Sequence, residues 1–241
     1  MKWFVAYNED YKEITEGIFI PSIKDKCDLI KVKIENFKNK WSVAGGDEGD
    51  EMRKNLIEYA LRKTNKEEIF VVCDTDIKFY NPVVDLIIKE MSQNQKTIEK
   101  DNIKLNKIDF IIQKEKKSHD CNMGFMAMRN NEKVKEFWDN VYKISIQEKK
   151  WDQPILNDVL RNNTIEDKEL FIYKNNLMNW TRFSDKFWNW SMGASGSEFN
   201  NETCLHHANC SVTKENKKNQ FDYVEECFKN NQKIDFSKRW M

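Results

Sequence analysis

Apolar residues in this chain fall into short continuous runs that alternate with longer stretches of helical periodicity. The most apolar run, residues 69–73, is rich in β-branched and aromatic side chains and predicts a strand buried on both faces. Further strands are predicted over 3–7, 28–34, 108–113, 121–128, 169–174 and 203–208. Helical spacing predicts helices over 14–23, 51–63, 83–91, 132–147, 152–161 and 214–231. Because strands and helices alternate throughout, the pattern predicts one α/β domain over residues 1–241.

Three stretches show neither period and are predicted as loops. They are the Gly/Asp-rich segment 41–50, the polar segment 92–107 and the aromatic-rich segment 175–200. Asp50 is the expected N-cap of the helix that follows the first of them. Residues 180–190 of the third segment are a candidate platform on which an acceptor sugar would stack, and a hydrophobic anchor for an irregular loop is their alternative role.

Composition narrows the classes of partner and the compartment. The 241 residues carry 40 basic and 40 acidic side chains, so no charge excess favours nucleic acid or an anionic membrane surface. No apolar run reaches the ~18 residues of a membrane span, and the start does not resemble a signal peptide. A cytoplasmic location is therefore expected. The six cysteines are expected to be free thiols, with Cys73 and Cys121 buried.

Two carboxylates, Asp74 and Asp76, follow the most apolar strand directly. Open α/β sheets bind ligands at the carboxyl ends of their strands. Two acidic groups at such a point repel each other unless a cation lies between them. A divalent ion bound by oxygen atoms often keeps substrate phosphates as further ligands. The motif therefore predicts a metal–phosphate site, with a solvated turn as the alternative.

Two other motifs suit a polar ligand such as a sugar. Gly124 interrupts a predicted strand, as glycine does where a ligand or backbone passes closely, and Asn122 beside it can both donate and accept hydrogen bonds. Asp152 is expected to cap a helix, and together with Gln153 it offers groups that recognise hydroxyls. Taken alone, Asn122 and Gly124 favour a β-bulge with a turn asparagine, and Asp152 is an ordinary helix cap in either interpretation.

The adjacent histidines His206 and His207 lie on a predicted strand and therefore point to opposite faces. At most one of them faces the site. A single imidazole joined to aspartate carboxylates favours Mn²⁺ over Ca²⁺. Cys204 and Cys210 flank the pair and leave a zinc site as a competing interpretation, although the spacing differs from that of zinc fingers.

The order Asp-x-Asp, Asn-x-Gly, Asp-Gln-x-x-Leu-Asn and a late histidine resembles the GT-A glycosyltransferases of the nucleotide-diphospho-sugar transferase type, with glycogenin-like and plant xylosyltransferase-like relatives. The resemblance spans about residues 69–217. It implies a three-layer α/β/α, Rossmann-like GT-A fold with a mixed, mostly parallel central sheet. It also implies a metal-dependent hexosyl- or pentosyltransferase that moves the sugar with retention from a nucleotide-diphospho-sugar, favouring a UDP-sugar. The acceptor would be a hydroxyl of a glycan, a protein or a lipid-linked molecule.

The same resemblance implies the metal ligands. Asp74 and Asp76 would bind the metal and the ribose–diphosphate of the donor. His207 would be the third metal ligand, with His206 as the alternative because the register of that strand is open. The ion would be Mn²⁺, with Mg²⁺ as the alternative.

The remaining implied roles concern the donor. Asn122 would face the donor sugar, and Asp152 and Gln153 would lie beside the anomeric centre. Three basic or aromatic contacts complete the implied site. Lys217, with Lys214 as the second choice, would contact the diphosphate. Arg53 or Lys54 would also contact the diphosphate, with a solvated helix charge as the alternative. Tyr7 would contact the nucleobase.

Two other functions stay open on the sequence. One is a degenerate domain that binds a nucleotide sugar without transferring it, which the intact acidic motifs disfavour. The other is an Asp-x-Asp phosphatase of the haloacid dehalogenase type, which would place a threonine where Lys78 stands.

Overall fold

The computed structural model describes residues 1–34, 47–92, 96–98, 103–105, 107–116, 120–167, 170–211, 213–238 and 240. Its strands are β1 (Lys2–Tyr7), β2 (Asp28–Lys33), β3 (Ile69–Cys73), β4 (Ile77–Phe79), β5 (Lys96–Ile98), β6 (Ile103–Leu105), β7 (Phe110–Lys114), β8 (Cys121–Arg129), β9 (Thr164–Asp167), β10 (Leu170–Tyr173), β11 (Met178–Arg182), β12 (Phe187–Asn189) and β13 (Leu205–His207). A helical segment near the start combines a 3₁₀ turn (Glu9–Tyr11), α1 (Lys12–Ile14), a π turn (Thr15–Phe19) and α2 (Ile20–Ser22). The other helices are α3 (Asp47–Lys63), α4 (Val84–Ser92), α5 (Glu132–Glu148), α6 (Asp152–Asn163), α7 (Trp190–Ala194) and α8 (Lys214–Lys229).

Eight of these strands form the central sheet, in the order β2-β1-β3-β8-β7-β11-β10-β9. The pairings make β8 and β10 antiparallel to the other six strands, which share one direction. The sheet is therefore mixed and mostly parallel in direction, as expected from the sequence. Strand β3 lies between β1 and β8, and its carboxyl end carries the acidic motif.

Alternate side chains of the central strands enter two separate cores, which makes the fold three-layered. Phe70 and Val72 of β3 pack with residues of α3, α5 and α6, whereas Val71 and Cys73 pack with the first helical segment and α4. A strand with both faces covered must be apolar throughout, which explains the unbroken run of β3. The predicted three-layer α/β/α architecture is confirmed.

A small second sheet, in the order β12-β13-β4, brings distant parts of the chain to the end of β3. In it His207 of β13 pairs with Ile77 of β4, the residue after Asp76. Behind this sheet, a third cluster packs the C-terminal tail and α8 against aromatic side chains. Its fully buried members are Trp188, Trp190, Met192, Val224 and Trp240.

Several predicted boundaries are wrong. Helix α3 already includes Asp47–Asp50, so Asp50 is not its N-cap; the part of that predicted loop at 41–46 lies outside the described residues. The predicted loop 92–107 contains a two-stranded ladder of β5 and β6. The predicted loop 175–200 contains β11, β12 and α7, and its rings are buried. Short strands such as β4 and β9 were missed because three or four residues carry no readable period.

No helix in the described part of the chain is long and apolar enough to cross a membrane.

Candidate functional site

Asp74, Asp76 and His207 converge at the carboxyl end of β3. One ligand atom from each lies within 4.8 Å of the others. Nε2 of His207 is 3.5 Å from Oδ1 of Asp76 and 3.9 Å from Oδ2 of Asp74. Among the described residues, no other group of His, Cys, Asp and Glu has this geometry. Two carboxylates and an imidazole form a donor set that suits a divalent ion such as Mn²⁺.

Gln113 of β7 orients the imidazole of His207. Its amide nitrogen donates to the carbonyl oxygens of Phe187 and Trp188, at 3.0 and 3.4 Å, so its oxygen must accept. That oxygen is 2.9 Å from Nδ1 of His207, which therefore carries the proton. Nε2 is left with a lone pair directed at two carboxylates. This is the tautomer that a metal ligand requires, held by an outer partner as in known metal sites.

Gly124 of β8 leaves the space that His207 occupies. A Cβ atom at this position would lie 2.1 Å from Cε1 and 2.7 Å from Nδ1 of the imidazole. Any other residue would therefore displace the ring. The sequence predicted that something passes closely at Gly124, and the structure identifies it as a side chain of the site itself.

Lys217 of α8 lies within the same cluster. Its Nζ is 2.5 Å from Oδ2 of Asp76 and donates to the carbonyl of Ala208 at 3.1 Å. Burial on its own raises the pKa of Asp76, but the charge of Lys217 holds that pKa well below its usual range. The carboxylate is therefore ionised and ready to bind a cation. Lys214, the second choice for this role, pairs with Glu13 at 3.8 Å instead.

Arg53 of α3 connects the acidic motif to α6. Its guanidinium lies 2.8 Å from Oδ2 of Asp152 and 3.4 Å from Oδ1 of Asp74. Burial lowers the pKa of Arg53, but the charges of Asp152 and Asp74 outweigh that effect and raise it above the usual value. Arg53 is thus a half-buried member of the site. Lys54 faces elsewhere, 3.7 Å from Glu58 on the same helix, and the solvated-charge alternative applies to it.

Asp152 is not the N-cap of α6, contrary to the sequence prediction. The N-cap is Trp151, which makes no side-chain capping hydrogen bond, and Asp152 is the first helical residue. Arg53 donates a hydrogen bond to its carboxylate, and Asp152 as a whole is only 2 % exposed. Gln153 accepts a hydrogen bond from the backbone N–H of Met123 at 3.1 Å, which ties α6 to β8 beside Asn122.

Asn122 belongs to a polar cluster that the sequence did not reveal. Its side-chain oxygen accepts from the N–H of Gly124 at 2.7 Å, and its nitrogen donates to Glu115. The other oxygen of Glu115 accepts from Ser191 at 2.8 Å and from Asn209 at 3.4 Å. Glu115 therefore links β7, β8, α7 and the segment after β13. No motif marks it, because its partners lie up to 94 residues away.

Tyr11, another residue that the sequence did not single out, lies near the acidic pair. Burial first, and then the charges of Asp76 and Asp74, raise the pKa of its hydroxyl above the usual value. Tyr7, the residue predicted at the nucleobase, ends β1 and is half-buried. Strand β1 is the parallel neighbour of β3, so Tyr7 lies at the edge of the sheet where β3 ends, and Tyr11 follows it four residues later.

His206 points away from the acidic pair, so of the two histidines His207 is the one that belongs to the candidate metal-binding group. Its Nε2 is 3.1 Å from Oε1 of Gln220, and its ring packs against Trp188 and Phe221. Burial lowers the pKa of His206 to about 3. Neither Cys204 nor Cys210 belongs to the metal-binding group, so the zinc interpretation has no support. All six cysteines are free thiols.

The fold and this site together define an α/β protein of the GT-A class with an Asp-x-Asp metal-binding group. The family model for the nucleotide-diphospho-sugar transferases matches residues 30–221, and the chain belongs to that family. The predicted enzyme class, glycosyltransferase, is thereby confirmed, and the phosphatase alternative is left without support. A comparison with curated protein sequences found no match.

Solved structures show the same fold at low sequence identity. A glycosyltransferase involved in the glycosylation of the major capsid of PBCV-1 aligns with a TM-score of 0.56 and 11 % identity, covering 93 % of this chain and 98 % of that one. The glycosyltransferase GlyE of Streptococcus pneumoniae TIGR4 aligns with a TM-score of 0.52 and 12 % identity, covering 97 % of this chain. This chain spans 65 % of the GlyE chain.

Proposed function

We propose that the protein is an active, metal-dependent glycosyltransferase that moves a sugar, with retention, from a nucleotide-diphospho-sugar to an acceptor hydroxyl. The observation that carries this proposal is the cluster of Asp74, Asp76 and His207, with the Nε2 lone pair of His207 directed at both carboxylates. Lys217 and Arg53 each contact one carboxylate, through Oδ2 of Asp76 and Oδ1 of Asp74. The other two oxygens, Oδ1 of Asp76 and Oδ2 of Asp74, face Nε2 of His207 and form with it a donor set for a divalent ion.

The metal site fits the expected ion on its chemistry. Asp74, Asp76 and His207 would hold Mn²⁺, or alternatively Mg²⁺, and would leave coordination positions for diphosphate oxygens. When bound, the ion neutralises negative charge that develops on the departing diphosphate.

Two basic side chains would assist at the diphosphate. Lys217 forms an ion pair with Asp76, and Arg53 forms one with Asp74, so both cations lie beside the place where the phosphates would bind. Positively charged groups fixed before the reaction stabilise the leaving group without reorganisation. We assign no such role to Lys54 or Lys214, because each is paired on the surface.

Asp152 and Gln153 would act at the sugar. Arg53 fixes the carboxylate of Asp152, and the N–H of Met123 fixes the amide of Gln153. A negative charge held at the anomeric carbon stabilises an oxocarbenium-like transition state. The bond between the anomeric carbon and the diphosphate breaks, and the acceptor oxygen forms the new bond to that carbon. The proton of the acceptor hydroxyl leaves on the nucleoside diphosphate. Asn122 would contact the sugar from β8.

Other parts of the proposal do not rest on geometry. A UDP-sugar as donor, Tyr7 at the base and a glycan, protein or lipid-linked acceptor rest on the resemblance. A single domain over residues 1–241 and a cytoplasmic location rest on the sequence pattern. Tyr11, whose hydroxyl is influenced by Asp74 and Asp76, is an additional candidate contact for the donor.

The test is donor hydrolysis in the absence of acceptor, with Mn²⁺ titrated into the wild type and into Asp76→Asn. The substitution deletes ligand charge without changing the size of a side chain at a strand end. We expect the wild type to hydrolyse a UDP-sugar only with metal, and Asp76→Asn to lose at least ~10²-fold in rate. Asp139→Asn, at an exposed position of α5, is the matched control. Equal rates in Asp76→Asn and the wild type would refute the metal assignment, and donor binding without turnover would favour the binding-only alternative.

A further inference from the structure

A cavity of about 520 Å³ lies between α7 and the C-terminal tail. The rings of Trp190, Phe236 and Trp240 contribute its aromatic surface. Trp240 packs edge-on to Trp190, with 5.4 Å between the ring centroids, and Phe236 lies 5.0 Å from Trp190. Rigid aromatic faces of this kind bind the C–H faces of sugar rings through apolar contact at little cost in side-chain entropy.

The two charged residues that line this cavity are both basic. Lys116, after β7, and Lys238, in the tail, both line it, and no acidic residue of the described chain does. Lys238 is held over the ring of Tyr223, with its Nζ 3.6 Å from the ring centroid. Two cations beside an apolar surface are complementary to a ligand that carries a negative charge.

The cavity adjoins the metal site through the polar cluster of Glu115. Ser191 and Cys210 line the cavity, and Oγ of Ser191 lies 3.1 Å from Sγ of Cys210. Ser191 also donates to Glu115, whose other oxygen accepts from Asn122. Asn122 is the residue proposed to contact the donor sugar, so the hydrogen-bonded side chains of Ser191, Glu115 and Asn122 lead from the cavity to that sugar.

We propose that this cavity is the acceptor subsite and that it takes an acidic saccharide, one that carries a carboxylate or a similar anionic group. This inference rests on the proposed transferase function, because an acceptor must bind next to the donor sugar. The aromatic rings account for the sugar, and Lys116 and Lys238 account for the negative charge.

The experiment measures binding of two probes by saturation-transfer NMR and calorimetry. The probes are 4-nitrophenyl β-D-glucuronide, which is acidic, and 4-nitrophenyl β-D-glucoside, which is its neutral counterpart. We expect the glucuronide to bind roughly tenfold more tightly, which is what two partly exposed charge pairs supply. Lys238→Glu and Lys116→Glu should each remove most of that preference. Lys233→Glu, in the same tail but outside the cavity lining, should leave it intact.

Donor hydrolysis of the same variants separates this proposal from the proposed function. It should stay at the wild-type rate in all three, because none of these lysines contacts the metal cluster. Three results would overturn the acceptor proposal while leaving donor hydrolysis intact. They are equal affinity for the two probes, millimolar or weaker binding of the glucuronide, and a preference for the glucuronide that survives both cavity substitutions. If the wild type binds the glucuronide preferentially but does not hydrolyse the donor, the transferase function is wrong and the anion-binding cavity stands. Melting temperatures establish that each variant is folded.

Discussion

At the scale of single residues, the site depends on contacts that fix the tautomer and position of one histidine. Gln113 accepts from Nδ1 of His207, and Gly124 provides the space for the ring. Neither residue would bind the ion itself. Outer partners of this kind are known to change metal affinity by 10–100-fold, because they set the orientation and basicity of the ligand.

Gly124→Ala should therefore weaken metal binding more than folding. The new methyl group would overlap Cε1 of His207 and push Nε2 away from Asp74 and Asp76. We expect a loss of at least ~10-fold in Mn²⁺ affinity, measured by calorimetry with a nucleoside diphosphate present. Gly17→Ala is the control, because a Cβ there meets nothing within 4 Å. Wild-type affinity in Gly124→Ala would show that His207 is not a ligand.

At the scale of elements, the site is assembled from helices and strands that arrive from different parts of the chain. Helices α3 and α6 are joined across the acidic motif by the ion pair of Arg53 and Asp152, which are 99 residues apart. Strand β13 carries His207 to the end of β3, and α8 carries Lys217 there. Each element supplies one side chain and a rigid backbone to hold it.

Asp152→Asn tests whether the α3–α6 ion pair serves catalysis or only stability. The change keeps the side-chain size but removes the charge, leaving Asp74 as the remaining carboxylate on Arg53. We expect a loss of about 1–3 kcal/mol in the free energy of unfolding, the usual range for a hydrogen bond to a buried charge. The single-turnover rate should fall by ~10²-fold or more, with donor affinity nearly unchanged.

Asp158→Asn serves as the matched control for that change. It removes an exposed carboxylate from the same helix, one that pairs with Arg161 at 3.3 Å. Surface pairs contribute little, so both rate and stability should stay close to wild type. If Asp152→Asn loses stability but keeps its rate, the carboxylate is structural, and its assignment to the anomeric centre is wrong.

At the scale of the whole molecule, two separate cores cover the two faces of the sheet, and four of the six cysteines are buried. Cys73 and Cys121 are buried in different cores, and Cys204 and Cys227 are also buried. Burial raises the pKa of Cys121 to about 12, and it raises that of Cys73 well above its usual value. Only the thiolate reacts readily, so these thiols are protected both sterically and electrostatically.

Thiol labelling should therefore report global unfolding. At pH 8 in native buffer, a disulfide reagent such as 5,5′-dithiobis(2-nitrobenzoate) should modify the exposed Cys210 first and the half-buried Cys27 more slowly. The other four should react only at the rate of unfolding, and denaturant should release six thiols in total. Cys210→Ser should abolish the fast phase. Rapid native labelling of Cys121 would contradict the packing of β8.

The sequence by itself determined the class of fold and much of the site. The apolar run of β3 can only be a doubly covered strand, and the carboxyl end of such a strand is where α/β proteins bind ligands. Asp74, Asp76, Asn122 and Asp152 could be named in advance, because each lies in a short motif and the order of those motifs carries the family resemblance. His207 and Lys217 could be named only with His206 and Lys214 as alternatives. Because that strand is apolar on both faces, helices must cover the sheet from both sides. The pattern therefore predicts three layers.

The tertiary structure alone decided between residues that are neighbours in sequence, because burial and long-range pairing are not encoded locally. It directs His207 toward the carboxylates and His206 into an aromatic core, through the register of β13 against β4. It places Arg53 in the site and leaves Lys54 on the surface, according to which face α3 presents to the sheet. It also brings Glu115 to Ser191, 76 residues away, and the tail to α7. Contacts of that separation are set by how the layers pack, and no window of sequence contains both partners.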